Sequence, residues 1–125
     1  MDCVIRSADQ TVYQGAADRV VARSPHGEFA VMKGHAPLLA VLVAGAVKVQ
    51  SEGQEFIFLC KQGTFSTDGD HVTILVERPM KLDEIDVPAI RDRLAAQEDM
   101  PLTERMDAEE STYLKMLCQV KESHG

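Results

Sequence analysis

The sequence predicts a mainly β protein with an α-helical end: an N-terminal antiparallel β-sandwich followed by a C-terminal antiparallel two-helix hairpin. Three observations lead to this fold class. Apolar and polar residues alternate with the period of a strand up to about Pro79, turn-forming residues separate the alternating runs, and the period becomes that of a helix after Pro79. We therefore place two units in the chain, the sandwich at residues 1–80 and the hairpin at residues 81–125.

Three runs in the first unit have the pattern of β-strands. Residues 47–50 and 72–76 alternate between apolar and polar side chains, which is typical of a strand with one buried face. Residues 56–60 are apolar without interruption, so we expect both faces of that strand to be covered. Residues 51–54 and 68–70 have the composition of tight turns, and many short strands without intervening helices favour a sandwich or a barrel.

The second unit begins with a helix signal at Asp86, which is a good N-cap, and Pro88 is tolerated in the first helical turn. The pair Met100-Pro101 interrupts the helical pattern, and we expect a second helix to restart near Thr103. A short link of this kind favours antiparallel packing of the two helices. The apolar positions that would form the packed faces are Val87, Ile90 and Leu94 in the first helix and Leu102, Met106, Tyr113, Leu117 and Val120 in the second.

Composition excludes several classes of protein. The net charge of −7 and the lack of any cluster of lysine and arginine argue against nucleic-acid binding. The longest nearly uncharged run, residues 36–47, is too short for a membrane span, so no direct membrane insertion is expected, and the start of the chain has no secretory pattern. Three widely spaced cysteines favour reduced thiols in a cytoplasmic compartment.

No pattern of catalytic or metal-binding residues is present, so we expect no catalytic residue, metal or cofactor. Cys60 ends an apolar strand and is interpreted as a small buried hydrophobe, and Asp68 and Asp70 are interpreted as turn residues. Metal ligands usually have short, defined spacings, whereas the histidines are scattered singly: His26, His35, His71 and His124.

A stiff loop is predicted after the strand that contains Phe29 and Val31. Gly34 permits a backbone conformation that other residues avoid, and Pro37 holds the preceding residue in an extended conformation. The loop should therefore present His35 at the surface, beside an apolar base. Two roles remain open for His35, that of capping a turn and that of contacting a partner.

This segment resembles the epsilon subunit of bacterial-type (F-type) rotary ATP synthases, whose signature runs Gly-Glu-Leu-Gly-Ile-x-Pro-Gly-His-Ala-Pro-Leu-Leu. Glu28 and the run from Gly34 to Leu39 match that signature, whereas Lys33 stands where the family usually has proline. The opening strand at residues 4–9 and the later strands at residues 45–49, 55–59 and 72–75 are also similar to the family. The resemblance covers residues 3 to about 80, and the remainder agrees in architecture only.

The resemblance implies a non-catalytic central-stalk subunit of a proton- or sodium-translocating ATP synthase, peripheral on the cytoplasmic face of the plasma membrane. The sandwich would bind the gamma subunit and would sit on the membrane proteolipid ring. The residues implied in the ring contact are Glu28, Lys33, Gly34 and His35, and those implied in anchoring the loop are Pro37, Leu38 and Leu39.

In this family the helical hairpin can also regulate ATP hydrolysis by contacting the catalytic alpha/beta head. The candidate contacts here are Arg91, Arg93, Arg105, Lys115 and Lys121. Residues 81–125 carry a net charge of −5, however, which indicates either a solvated acidic face or an adaptation to a basic partner. Because like charges repel at a contact, we expect weak inhibition of hydrolysis or none. The family's ATP motif begins at Ile85-Asp86, but Ala89 replaces its arginine, so ATP binding has little support.

An alternative function is a β-sandwich adaptor that docks a partner outside any ATP synthase through its helical arm. Composition does not separate this alternative from a rotor subunit, and only the His-Ala-Pro-Leu-Leu run does so. An enzymatic function has less support, because no pair of titratable groups is placed for acid–base chemistry.

Overall fold

The computed structural model describes the backbone of residues 1–124 and the side chains of residues 1–123. Ten strands precede two α-helices, and short 3₁₀ turns at Leu82–Glu84 and Gln97–Asp99 flank the first helix. The strands are Asp2–Arg6 (β1), Thr11–Ala16 (β2), Arg19–Ser24 (β3), Gly27–Met32 (β4), Leu38–Leu42 (β5), Gly45–Ser51 (β6), Gln54–Cys60 (β7), Gln62–Thr67 (β8), His71–Glu77 (β9) and Met80–Lys81 (β10). The helices are Val87–Ala96 (α1) and Ala108–His124 (α2).

The strands form two five-stranded sheets that pack face to face, which confirms the predicted sandwich. Sheet 1 has the order β2-β1-β9-β8-β5, and sheet 2 has the order β10-β7-β6-β3-β4. Neighbouring strands are antiparallel except for β1 and β9, which pair in parallel with Asp2 opposite His71. The first strand of the chain therefore lies between its own hairpin partner and the last long strand.

Tight turns occur where the sequence predicts them. Between β6 and β7 the two turn residues both have positive φ, 52° at Glu52 and 79° at Gly53. A two-residue turn with positive φ at both positions matches the right-handed twist of the strands that it joins. Between β8 and β9 the positive φ falls on Gly69, at 101°.

The protein has two separate hydrophobic cores, and β7 contributes to both. Phe58 and Cys60 point into the core between the two sheets. Leu59, which is fully buried, points the other way, into a second core formed with the helices. The prediction that both faces of residues 56–60 are covered is therefore confirmed for the C-terminal half of that run, while Phe56 remains 36% exposed.

The hairpin packs its predicted apolar faces together and onto sheet 2. The Asp86 carboxylate accepts a hydrogen bond from the Ala89 amide at 3.2 Å, so the predicted N-cap is confirmed. α2 brings Tyr113, Leu114 and Leu117 to the second core, and α1 adds half-buried residues to it. α1 itself has no fully buried residue.

Two details of the second helix differ from the prediction. α2 begins at Ala108 instead of near Thr103, because the Asp107 carboxylate accepts a hydrogen bond from the Glu110 amide at 2.7 Å and caps the helix there. Leu102 consequently lies in the link between the helices, where it is 81% exposed, and does not belong to the packed face.

We expect Gly63→Ala to lower the free energy of unfolding by about 2 kcal/mol, because the added methyl group would overlap the backbone of β9 at the Leu75 carbonyl. Gly15→Ala is the matched control, since its nearest atom would be the Tyr13 hydroxyl oxygen at 3.4 Å. Urea unfolding measures both variants, and equal stability of the two would contradict the prediction.

Candidate docking surfaces

The segment Lys33–Pro37 crosses from β4 in sheet 2 to β5 in sheet 1 at one end of the sandwich. Gly34 has φ of 86°, as its predicted role requires, and the His35 amide donates to the Met32 carbonyl at 3.1 Å. The His35 ring lies with Nδ1 2.6 Å from the Ala36 carbonyl oxygen. A carbonyl can only accept, so Nδ1 carries the proton and Nε2 is left for another contact. All five residues of the crossing are exposed.

The turn between β8 and β9 supports this crossing. The Gly34 amide donates to the Gly69 carbonyl at 2.9 Å, and a Cβ on Gly69 would lie 2.8 Å from the His35 carbonyl oxygen. We call Lys33–His35 together with Asp68–Asp70 the loop–turn surface. The sequence indicated a turn at Asp68–Asp70 but gave no sign of this contact, which joins segments distant in the chain.

The β8–β9 turn is itself fixed by the Asp68 carboxylate. That carboxylate accepts hydrogen bonds from the Asp70 amide at 2.9 Å and from the His71 amide at 2.8 Å. These bonds favour the ionised form and lower the pKa of Asp68 to about 2. The turn therefore keeps its shape at neutral pH, and it holds the crossing in place.

Three residues of the predicted loop sites lie outside the crossing, and one of them, Leu39, needs correction. Glu28 lies on β4 opposite Arg23, five residues from Lys33, which puts it roughly 16 Å away along an extended strand. Glu28 therefore lies apart from the loop–turn surface, and its contact with an outside partner stays a prediction. Leu38 is half-buried against the core between the sheets and does anchor the loop, whereas Leu39 is 79% exposed and does not.

Leu39 belongs instead to an uncharged strip on the outer face of sheet 1. Leu39 and Val41 on β5 are 79% and 64% exposed, and Leu75 on β9 is 53% exposed. The strand pairing sets Leu39 beside Ser66, Val41 beside Thr64, and Thr64 beside Leu75. We define the uncharged strip as Leu39, Val41, Thr64, Ser66, Thr73 and Leu75. Several exposed apolar side chains on one sheet face are typical of an interaction surface.

Three of the five predicted arm contacts already have partners within the protein. Arg91 pairs with Glu122 across the hairpin. Arg105 donates to the carbonyls of Met100 and Glu98, both at 3.0 Å. Lys121 donates to the Leu82 carbonyl at 3.1 Å.

Arg93 and Lys115 are exposed, and no ion pair forms at either of them within the described part of the chain. Of the five predicted contacts, Arg93 and Lys115 are therefore the two left for an outside partner. Arg91, the arginine nearest to the ATP-like motif, is paired with Glu122, while Asp86 serves as a helix cap.

The remaining candidates are the cysteines and the possible metal ligands. Burial raises the pKa of the Cys3 and Cys60 thiols to about 12, so neither is a nucleophile, and the prediction that Cys60 is a buried hydrophobe is confirmed. Among the side chains of residues 1–123, no three His, Cys, Asp or Glu residues are grouped to hold a metal ion, and the His124 side chain lies outside the described residues. None of the helices described is long and apolar enough to cross a membrane.

Comparison with solved structures supports the fold. The chain superposes on a chain of the mitochondrial ATP synthase of Euglena gracilis with a TM-score of 0.71 at 20% identity, covering 96% of this chain and 76% of that one. It also superposes on a chain from the central stalk and c-ring of the Tetrahymena thermophila mitochondrial ATP synthase, with a TM-score of 0.66 at 12% identity and coverage of 96% and 95%.

Comparison with protein families and with curated relatives identifies the family of the chain. The family described as "ATP synthase, Delta/Epsilon chain, beta-sandwich domain" matches residues 1–81. The ATP synthase epsilon chain of Acinetobacter baylyi is 27% identical over 121 residues, covering 96% of this chain and 87% of the relative. That of Acaryochloris marina is 33% identical over 109 residues, covering 86% and 78%. With the two-sheet fold and the hairpin, these matches show that the chain belongs to the ATP synthase epsilon-chain family, whose members are non-catalytic subunits of the rotary complex.

Proposed function

We propose that this protein couples the gamma subunit to the membrane proteolipid ring of a proton- or sodium-translocating ATP synthase. The observation that carries the proposal is the presence of two distinct candidate surfaces on one rigid body, the loop–turn surface at an end of the sandwich and the uncharged strip on a face. A rotor coupling must hold two partners without shearing between them. A close-packed sandwich meets that demand because its interior has little room to deform.

Gamma is the partner proposed for the uncharged strip. The outer face of sheet 2 is partly covered by the helices, whereas no element of the described chain covers the strip on sheet 1. Its exposed leucine and valine side chains would lose contact with water on binding, and its small hydroxyl side chains would permit close approach of the partner backbone.

The proteolipid ring is the partner proposed for the loop–turn surface. This surface exposes Lys33, Gly34 and His35 on a crossing that is hydrogen-bonded to a neighbouring turn. A contact that transmits torque benefits from such support, because a pre-formed loop loses little entropy on docking. In this arrangement the protein is peripheral, on the cytoplasmic face of the membrane.

For the helical arm we propose weak regulation of ATP hydrolysis. Arg91, Arg105 and Lys121 are engaged inside the protein, which leaves Arg93 and Lys115 for contact with the catalytic head. The arm's net charge of −5 would add repulsion at any acidic surface of the head. We propose no ATP binding by the arm.

Val41→Glu should weaken binding to gamma by at least about thirtyfold, because a charge would be buried without a partner at the centre of the contact. Leu102→Glu is the matched control: Leu102 is also an exposed apolar residue, at 81%, but it lies in the link between the helices. Titration of purified gamma with each folded variant measures the effect. Equal affinities for the two variants would exclude the uncharged strip as the gamma contact.

Gly69→Ala should reduce ion translocation per ATP hydrolysed in membranes that carry the variant, because its methyl group would press on the His35 carbonyl. Gly53→Ala serves as control, since Gly53 also has positive φ but a Cβ there meets no atom within 4 Å. Amide chemical shifts of Gly34 and His35 report whether the loop has moved. A displaced loop with normal coupling would contradict the proposed ring contact.

Removal of residues 86–125 should raise ATP hydrolysis by the assembled complex less than about twofold, because the arm is held within the protein and repelled by acidic surfaces. Within the described part of the chain, the core between the sheets contains no residue of the removed segment, so the sandwich should still assemble. A tenfold or larger rise, measured at equal content of complex, would show that the arm is instead a strong inhibitor.

A further inference from the structure

The attachment of the arm depends on α2. Among the residues that the structure describes, none belongs both to the core between the sheets and to the core beneath the helices. Among the described residues, α2 supplies three buried apolar residues to the core beneath the helices, and α1 supplies only half-buried ones. The hairpin can therefore leave the sandwich without opening the core between the sheets, provided that α2 is released.

A buried carboxylate lies at the start of α2, between two cations of the sandwich. Glu110 is 8% exposed and is one of two buried polar residues in the described chain. Its carboxylate pairs with Lys61 at 3.3 Å and with Arg78. Lys61 is the single residue between β7 and β8, and Arg78 follows β9, so both cations come from links at the same end of the sandwich.

The balance of charges keeps Glu110 ionised. Burial alone would raise the pKa of Glu110, but the hydrogen bond and charge of Arg78, followed by those of Lys61, outweigh burial and leave that pKa below its usual value. The carboxylate is thus compensated by two cations, of which Arg78 has the larger effect.

Arg78 adds further contacts with the same helix. Its carbonyl accepts a hydrogen bond from the Tyr113 hydroxyl at 2.7 Å, and its guanidinium carbon lies 5.3 Å from the centre of the Tyr113 ring. Arg78 has φ of 54°, a left-handed conformation that is strained for a residue with a side chain. Such a conformation persists where surrounding contacts hold it, and here those contacts come from α2.

We propose that Lys61, Arg78 and Glu110 form a latch that decides whether α2 stays on the sandwich, and that the latch makes release of the arm an all-or-none event. A carboxylate in this position is stable when paired and stable when fully hydrated, but costly in between, where it has lost its partners and has not yet reached water. α2 therefore does not peel away gradually from its first turn. The latch is a property of the chain itself, while its regulatory meaning rests on the function proposed above.

The cysteines provide a built-in test of the latch. Cys118 lies on α2, eight residues after Glu110, and is 5% exposed. Cys3 and Cys60 belong instead to the core between the sheets. Alkylation of the full-length chain, followed by mass spectrometry of the peptides, therefore reports release of the arm and opening of the sandwich separately. In Glu110→Gln we expect alkylation of Cys118 to accelerate at least about tenfold, with Cys3 and Cys60 unchanged.

Glu109→Gln is the matched control, because Glu109 has the same charge in the same helical turn but is exposed. It should leave the Cys118 rate within about twofold of the wild type, since it removes the same interaction with the helix dipole and no latch contact. An unchanged Cys118 rate in Glu110→Gln would overturn the latch. Equal acceleration of all three cysteines would also overturn it, because Glu110 would then hold the whole fold.

A second readout separates the latch from the proposed function. In the assembled complex, release of the arm by Glu110→Gln should change the rate of ATP hydrolysis if the arm regulates it. Faster alkylation of Cys118 with unchanged hydrolysis would support the latch and contradict the regulatory role.

Discussion

The rest of the structure depends on burial of β7 from both sides. A strand that is apolar at consecutive positions cannot face water on either side, so it needs a second sheet beneath it and another layer above it. Phe58 and Cys60 meet the first need, and Leu59 meets the second by packing under the helices. The helical hairpin is thus a cover for the outer face of sheet 2, as well as a separate unit. If a partner drew the hairpin away, Leu59 would become exposed to water unless the partner covered it.

The two proposed contact surfaces differ in what makes them suitable. The loop–turn surface is defined by backbone geometry, since Gly34, Gly69 and the Asp68 carboxylate fix the path of two segments against each other. The uncharged strip is defined by side-chain chemistry on one face of a sheet, and its strands are held in register by their backbone pairing. In the proposed function the two kinds of surface have separate tasks: the loop–turn surface would position the protein on the ring, and the uncharged strip would hold gamma through apolar area.

The sequence correctly predicted features that depend only on residues adjacent in the chain. It failed where contacts between distant segments, competition between helix caps, or the alternation of strand faces decided the structure. The cap at Asp86 and the turn at Gly69 were confirmed because each is a local signal. The start of α2 was misplaced because Asp107 is the better cap, and Leu39 was misassigned because adjacent residues of a strand face opposite sides. The contact of Gly69 with His35 had no sequence signal at all. The alternative of an adaptor outside any ATP synthase lost its support when the family was established by comparison.

The parallel pairing of β1 with β9 has a consequence for synthesis of the protein. Asp2 lies beside His71, so the first strand gains its second neighbour only when nearly all of the sandwich has left the ribosome. Until then one edge of β1 is open, and pairings so distant along the chain form slowly. The charged residues Asp2 and Arg6 at the two ends of β1 discourage that edge from joining another nascent chain. The helices emerge afterwards, onto a sandwich whose last long strand has just closed.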